Sequence, residues 1–238
     1  LSNGKATILN HCANLAQSAL GSRCLLCAAP APDSTVCAGC HADLPRLPAP
    51  VCDVCAIPIS SGTTCGRCIA HPPHFDRTHA PCAYAYPLDR VIQRFKYGGD
   101  LSAARVLAQV MLEATRTAPR PDVIVPMPLA RERLAERGFN QSLEIARLVG
   151  AALGIPVAHD ACVRVQHAPP QAALPWKERA KNVRGAFVCT ADLSGKAVAV
   201  VDDVLTTGAT LNELARVLKK RGATAVAGWV TARTLATR

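Results

Sequence analysis

Residues 198–211 read Val198-Ala199-Val200-Val201-Asp202-Asp203-Val204-Leu205-Thr206-Thr207-Gly208-Ala209-Thr210-Leu211. The apolar run from Ala197 to Val201 is what a strand buried on both faces requires. It ends in two adjacent carboxylates, and a small, hydroxyl-rich turn then opens into a helical pattern with Leu211, Leu214, Ala215 and Leu218 on one face. Such a turn directs successive backbone N–H groups outward at a helix start. There, along Thr206, Thr207, Gly208, Ala209 and Thr210, they and the threonine hydroxyls can cradle a phosphate dianion. Asp202 and Asp203, at the carboxyl end of the strand, can accept hydrogen bonds from sugar hydroxyls. Paired acids beside a buried strand are costly unless used, so this corner is the first candidate site. No Gly-Lys-Ser or Gly-Lys-Thr follows, which separates it from the Walker A loop.

Outward from this corner the chain alternates strand and helix patterns. Lys219, Lys220 and Arg221 suit the negative end of the helix before Gly222, and Ala223–Val230 supplies a last strand. Upstream, Tyr84–Tyr86 reads as a short strand. Phe95-Lys96-Tyr97-Gly98-Gly99 reads as a turn, followed by a helix with Ala103, Val106, Leu107 and Val110 on its face. Asp122–Val125 is a strand closed by Pro126-Met127-Pro128, and Arg131, Arg133 and Arg137 cluster behind it. A helix with Ile145, Leu148, Val149 and Ala152 on one face stops at Gly154, and Ile155–Ala158 can form another strand. Residues 164–186 lack periodicity and read as a long exposed loop or lid carrying Lys177, Arg179 and Lys181. The alternation predicts an α/β domain, a mostly parallel sheet flanked by helices. With its paired acids and Thr-Thr-Gly loop, the 198–211 corner resembles the ribose-5-phosphate signature of type I phosphoribosyltransferases.

The first third of the chain is of another kind. Eight of the twelve cysteines form four C-x-x-C pairs: Cys24/Cys27, Cys37/Cys40, Cys52/Cys55 and Cys65/Cys68. Two such knuckles complete one tetrahedral thiolate site, so the four predict two structural zinc ions. A disulfide framework would want a secreted chain. Asn10, His11, Asn14 and Gln17 interrupt the apolar core that a secretion signal needs, so zinc and a cytoplasmic location are expected. Sequential pairing joins Cys24, Cys27, Cys37 and Cys40, then Cys52, Cys55, Cys65 and Cys68. Interleaved pairing would join the first knuckle with the third and the second with the fourth. Shorter loops favour the sequential scheme by a small entropic margin, and the spacing allows both. His71, His74 and His79 are expected at the surface, since eight thiolates already fill two sites. Cys12, Cys82, Cys162 and Cys189 read as buried apolar residues. The expected organisation is a short amphipathic helix within 1–23 (Ile8, Cys12, Leu15, Ala19), a zinc module at 24–75 and the α/β domain at 76–238.

Taken in order, several segments together resemble the competence protein F (ComF) family. They are the knuckle module, Pro72-Pro73-His74-Phe75-Asp76, Lys96-Tyr97-Gly98, Arg137-Gly138-Phe139-Asn140-Gln141, Gln171 through Arg179 to Asn182, and Gly185-Ala186-Phe187. Gln166 and Ala168 depart from the Arg and Thr that the family often carries there. The resemblance implies that phosphoribosyl pyrophosphate is the ligand, its ribose and 5-phosphate held by Asp202, Asp203 and Thr206–Thr210. The pyrophosphate, with Mg2+, would lie near Val125–Pro128, Arg133 and Arg137. Two functions follow from it. One is a protein of DNA uptake during natural transformation that uses the site as a ligand sensor, with single-stranded DNA or uptake proteins as candidate partners. The other is an active phosphoribosyltransferase of nucleotide or amine metabolism.

At 238 residues the chain suits one medium domain and a small one. No apolar run reaches the roughly 18 residues of a membrane-spanning helix. The 27 Lys and Arg against 17 Asp and Glu give a net charge of +10, which favours phosphate-rich partners. Two Trp, three Tyr and four Phe are too few for an extended base-stacking platform.

Overall fold

A computed structural model of the chain describes residues 23–31, 36–165 and 183–235. The chain forms two compact units, Leu1–Leu44 and Pro45–Arg238, so the third and fourth knuckles fold with the α/β sheet. The helix expected within 6–20 and most of the lid expected at 164–186 lie outside the described residues.

The two knuckle pairs are structural repeats. Cys24, Cys27, Cys37 and Cys40 recur at constant offset as Cys52, Cys55, Cys65 and Cys68. In each, the N–H of the residue after the second cysteine returns to the first (Ala28 to Cys24 O, 2.9 Å; Ala56 to Cys52 O, 2.7 Å). Both alanines take positive φ, +60° and +56°, as that tight return demands. A one-turn helix follows the third cysteine of each set: α1 (Ala38–Ala42) and α2 (Gly66–Ala70).

Among the described residues the sheet holds five strands: β1 (Arg77–His79), β2 (Cys82–Ala83), β3 (Val123–Pro126), β6 (Ala197–Leu205) and β7 (Ala225–Arg233). The order is β1-β7-β6-β3, with β2 also on β7, and every pairing is parallel. Between them run α3 (Leu88–Gly98), α4 (Ser102–Thr115), α5 (Arg131–Arg137), α6 (Gln141–Leu153) and α7 (Ala209–Lys220). Successive strand residues face opposite layers. Val198, Val200, Val226 and Val230 join one buried cluster with Leu211, Leu214, Ala215 and Leu218 of α7, and the same cluster contains Cys52, Cys55 and Cys68. On the other face Ile124 lies against Gly150 of α6, where a Cβ would come within 2.6 Å of Val157. A separate antiparallel pair, β4 (Cys162–Arg164) with β5 (Phe187–Cys189), forms the base of the segment expected as a lid. Cys82, Cys162 and Cys189 are buried, as apolar residues should be.

Three local expectations are corrected. Phe95–Gly98 is the last turn of α3 and only Gly99, at φ +66°, is the turn, because Leu88, Val91, Ile92 and Phe95 form a buried helical stripe. The short strand lies at Cys82–Ala83 instead of Tyr84–Tyr86. Ile155–Ala158 contributes a single bridge, Val157 to Ile124, in place of a strand. Among the described residues no helix is long and apolar enough to cross a membrane.

Candidate functional site

β6 does not stop before the acids. It continues to Leu205, paired with β7 as far as Arg233, so Asp202 and Asp203 are strand residues held at fixed height. Asp202 accepts a hydrogen bond from the Ser142 hydroxyl at 2.9 Å and from the backbone N–H of Asp203 at 2.9 Å. Burial pushes its carboxyl up to about 7, the charge of Asp203 adds to this, and Lys96 and Ser142 oppose it. Asp203 is buried and forms an ion pair with Lys96 from the last turn of α3. Burial alone would lower the Lys96 ammonium; the charge and hydrogen bond of Asp203 outweigh that and hold it above its ordinary value.

Thr206 to Thr210 make the turn into α7. Gly208, at φ +84°, is the N-cap, a conformation that L side chains resist, and Asn212 donates to its carbonyl at 2.8 Å to start the helix. The Thr207 hydroxyl accepts from Ala209 N–H at 3.3 Å. Thr206 is exposed and Thr207 to Thr210 are half-buried, so the cup faces solvent at the carboxyl edge of the sheet.

The arginines arrive by a separate route. Gly138, left-handed at φ +80°, ends α5. Two residues later Asn140 caps α6 by accepting from Ser142 N–H at 3.0 Å, and donates to Met127 O at 3.1 Å. One side chain thus ties the Arg137–Gln141 segment to the exit of β3. Arg137 donates to Gln141 Oε1 and sits 5.6 Å over the Tyr97 ring, and Phe95 meets Phe139 at 5.2 Å between centroids. Arg133 pairs with Glu136 at 3.0 Å. Lys96, Tyr97, Gly99, Arg133, Glu136 and Arg137 line a cavity of about 140 Å³. Lys96 therefore joins the cationic cavity to the acidic corner, and Arg133 and Arg137 come together with Asp203 through it.

The sequence motifs assign no role to Lys96, Ser142 or Arg164. Arg164, on β4, stacks over Phe187 at 5.7 Å; burial lowers its guanidinium and Asp202 raises it. The readable signal for Lys96 was the 3–4 spacing of Leu88, Val91, Ile92 and Phe95, which places it on a helix next to the buried stripe. Nothing local marks Ser142 or Arg164, whose neighbours come from distant strands.

The cysteines form two sets, Cys24/Cys27/Cys37/Cys40 and Cys52/Cys55/Cys65/Cys68, each with its ligand atoms within 4.8 Å of one another. This is the sequential scheme. Sγ–Sγ separations of 3.6 Å (Cys27–Cys37) and 3.7 Å (Cys55–Cys65) match the roughly 3.8 Å edge of a zinc–thiolate tetrahedron with ~2.3 Å bonds. Burial works against ionising Cys24, yet backbone N–H donors of Cys37, Cys27 and Leu26 outweigh it and bring the thiol down to about 6. His71 and His74 are exposed and His79 half-buried; none belongs to either set.

The double zinc ribbon family profile matches residues 15–69 and the phosphoribosyl transferase domain profile residues 140–238. Competence protein F of Haemophilus influenzae is 35% identical over 170 residues, covering 68% of this chain and 74% of that protein. DNA utilization protein YhgH of Escherichia coli K12 is 33% identical over 170 residues, covering 69% and 75%. Among solved structures, a purine phosphoribosyltransferase from Pyrococcus horikoshii aligns over 56% of this chain and 75% of its own, at 26% identity and a TM-score of 0.34.

Proposed function

Because the chain belongs to the competence protein F family, we propose that it binds phosphoribosyl pyrophosphate at the corner of β6 and α7 and acts in the handling of incoming DNA. The names of its relatives speak of competence and DNA utilization. The observation that carries the ligand is the Lys96–Asp203 contact. It sets side by side an N–H and hydroxyl cup, a carboxylate pair and a cationic cavity. A sugar with a phosphate at one end and a diphosphate at the other needs those three chemistries in that order.

In this reading Thr206–Thr210 hold the 5-phosphate with backbone N–H groups at the α7 N-terminus. Asp202 and Asp203 accept from the ribose hydroxyls, and Lys96, Arg133 and Arg137 receive the pyrophosphate. Two carboxylates beside a diphosphate form an all-oxygen donor set that suits Mg2+, which when bound would neutralise leaving-group charge. The chain's own contribution to transfer would be to orient the ribose and to place negative charge where the ring turns cationic.

Whether pyrophosphate is displaced separates two readings. The intact acid and threonine corner favours an active transferase as the second. Calorimetry with phosphoribosyl pyrophosphate and Mg2+, run beside pyrophosphate release with candidate base and amine acceptors, decides between them. Binding without release identifies a ligand sensor; release identifies a transferase. Asp203→Asn is expected to weaken binding by removing an ionised acceptor, and unchanged affinity would reject the site. For DNA, phosphate contacts predict a steep loss of single-strand affinity as salt rises, in keeping with the net charge of +10.

A further inference from the structure

We infer that the second four-cysteine cluster sets the affinity of the sugar-phosphate loop, with Arg233 as the positioning residue that couples the two. The inference rests on the ligand reading above and adds to it a regulation of the same site.

Arg233 is the last residue of β7 and only 2% exposed. Its guanidinium bonds to backbone carbonyls on two sides. Nε donates to Cys55 O at 2.9 Å, inside the knuckle. Nη1 donates to Leu205 O at 3.0 Å and to Thr206 O, at the entrance to the loop, and to Thr234 O at 2.6 Å. In a planar trans peptide the C=O and the next N–H point in opposite directions. Holding the Leu205 and Thr206 carbonyls toward Arg233 therefore turns the N–H groups of Thr206 and Thr207 away from it. Those are the first donors of the proposed phosphate cup.

A second contact runs parallel to this one. Phe75 is buried in the same cluster as Cys52, Cys55 and Cys68, and its ring lies 3.6 Å from where a Cβ on Gly208 would stand. Cys55, Cys68, Phe75, Thr207 and Gly208 share the walls of one cavity of about 230 Å³. The knuckle thus reaches the loop through Arg233 at its entrance and through Phe75 at its N-cap. A metal ion gripping Cys52, Cys55, Cys65 and Cys68 would fix the turn that presents the Cys55 carbonyl; without it, Arg233 has a loose anchor on one side.

Coupling of this kind is reciprocal: if metal tightens the loop, ligand tightens the metal by the same factor. The test is an equilibrium competition for Zn2+ between the full chain and a chromogenic chelator, with and without Mg2+-saturated phosphoribosyl pyrophosphate. One of the two zinc sites should gain at least about fivefold in affinity, the lower end of ordinary couplings. Arg233→Lys, whose single ammonium cannot span both sets of carbonyls, should reduce that gain below about twofold while two ions stay bound. Cys40→Ser weakens the first cluster and should leave the response in place; a response lost in Cys40→Ser overturns the assignment to the second cluster. If Arg233→Lys does not fold, the wild-type competition decides alone: ligand bound by calorimetry with unchanged zinc affinity overturns the coupling and spares the ligand reading. No calorimetric binding to the wild type overturns both.

Discussion

Lys96 of α3 and Asp203 of β6 form an ion pair in which the carboxylate side chain is 4% exposed and the lysine 21%. Neither belongs to a strand or helix that could position the other by local sequence. The pair ties the last turn of α3 to the centre of the sheet. Removing only the lysine would leave a buried charge without its partner.

Lys96→Met is therefore expected to cost about 3 kcal/mol, the low end for breaking a buried pair because the lysine head is partly solvated. For a chain of this size that lowers the unfolding midpoint by roughly 6–12 °C. Adding Asp203→Asn removes the orphaned charge and should restore most of the stability, but not binding of phosphoribosyl pyrophosphate. Thermal unfolding of the two single variants and the double one measures the coupling; additive effects would mean that the pair is not energetically joined.

A pH dependence follows from Asp202. Its carboxyl is raised to about 7, chiefly by burial, so the folded state holds the proton more firmly than the unfolded chain, where an aspartate titrates near ~3.9. The stability this group contributes is complete below the ordinary aspartate range and is lost as pH rises through about 7. Binding of the proposed ligand should have the opposite sign, because in that reading the ribose hydroxyls donate to the ionised form of Asp202. Affinity for phosphoribosyl pyrophosphate should rise between pH 6 and pH 8, and Asp202→Asn should flatten that rise beyond what the ligand's own phosphate titration produces. Calorimetry at both pH values on both proteins checks it; equal slopes would remove Asp202 from the ribose site.

The sheet and the zinc ligands were legible because their signals are local and periodic. Val198–Val201 carries no polar atom in its side chains, and the four C-x-x-C pairs have no cheaper use for eight thiols. The knuckle pairing was readable only as a small entropic preference, and the folded chain sides with the short loops. Lys96 was hidden by two glycines. Gly98-Gly99 resembles a turn from end to end, yet Gly98 completes α3 and Gly99 alone goes left-handed, which leaves Lys96 on a rigid helix aimed at Asp203. The extension of β6 past the acids was hidden as well. Asp is a poor strand former, and only the long parallel partner β7, pairing Asp202 with Val230 and Leu205 with Arg233, keeps the backbone extended there. The Arg233 strut joins Cys55 to Leu205 and Thr206 across most of the chain length, beyond the reach of any local pattern.

Gly208→Ala separates backbone strain from steric clash. A Cβ at this position would lie 3.6 Å from Phe75 Cζ, an ordinary contact, so packing barely objects. The φ of +84° does object, at roughly 1–2 kcal/mol for an L residue. Any relaxation rotates the peptide planes that present the loop N–H groups. The expected result is a stability loss of about 1 kcal/mol by denaturant unfolding and at least tenfold weaker binding of phosphoribosyl pyrophosphate. Full affinity at reduced stability would show that the N-cap geometry is not what the phosphate reads.

The two zinc clusters should differ in how readily they give up metal, although they repeat one another in ligand spacing. In the first cluster only Cys24 is buried, Cys27 being exposed and Cys37 and Cys40 partly so, whereas in the second only Cys65 is partly exposed and Cys52, Cys55 and Cys68 are buried in the core that α7 shares with the sheet. Freshly purified, reduced protein should contain about two zinc ions per chain by elemental analysis, and none would discard the metal reading. Stepwise addition of EDTA should remove the ion of Cys24, Cys27, Cys37 and Cys40 first. The unit Leu1–Leu44 then loses its cross-link and becomes open to protease near the first knuckles while the sheet persists. Removal of the second ion should follow at higher chelator, together with a fall in the unfolding midpoint of the α/β unit, because Cys52 and Cys55 sit at 0% and 1% exposure inside that unit's core. Loss of both ions in a single step, with no protease-sensitive intermediate, would contradict the difference in burial as the controlling variable.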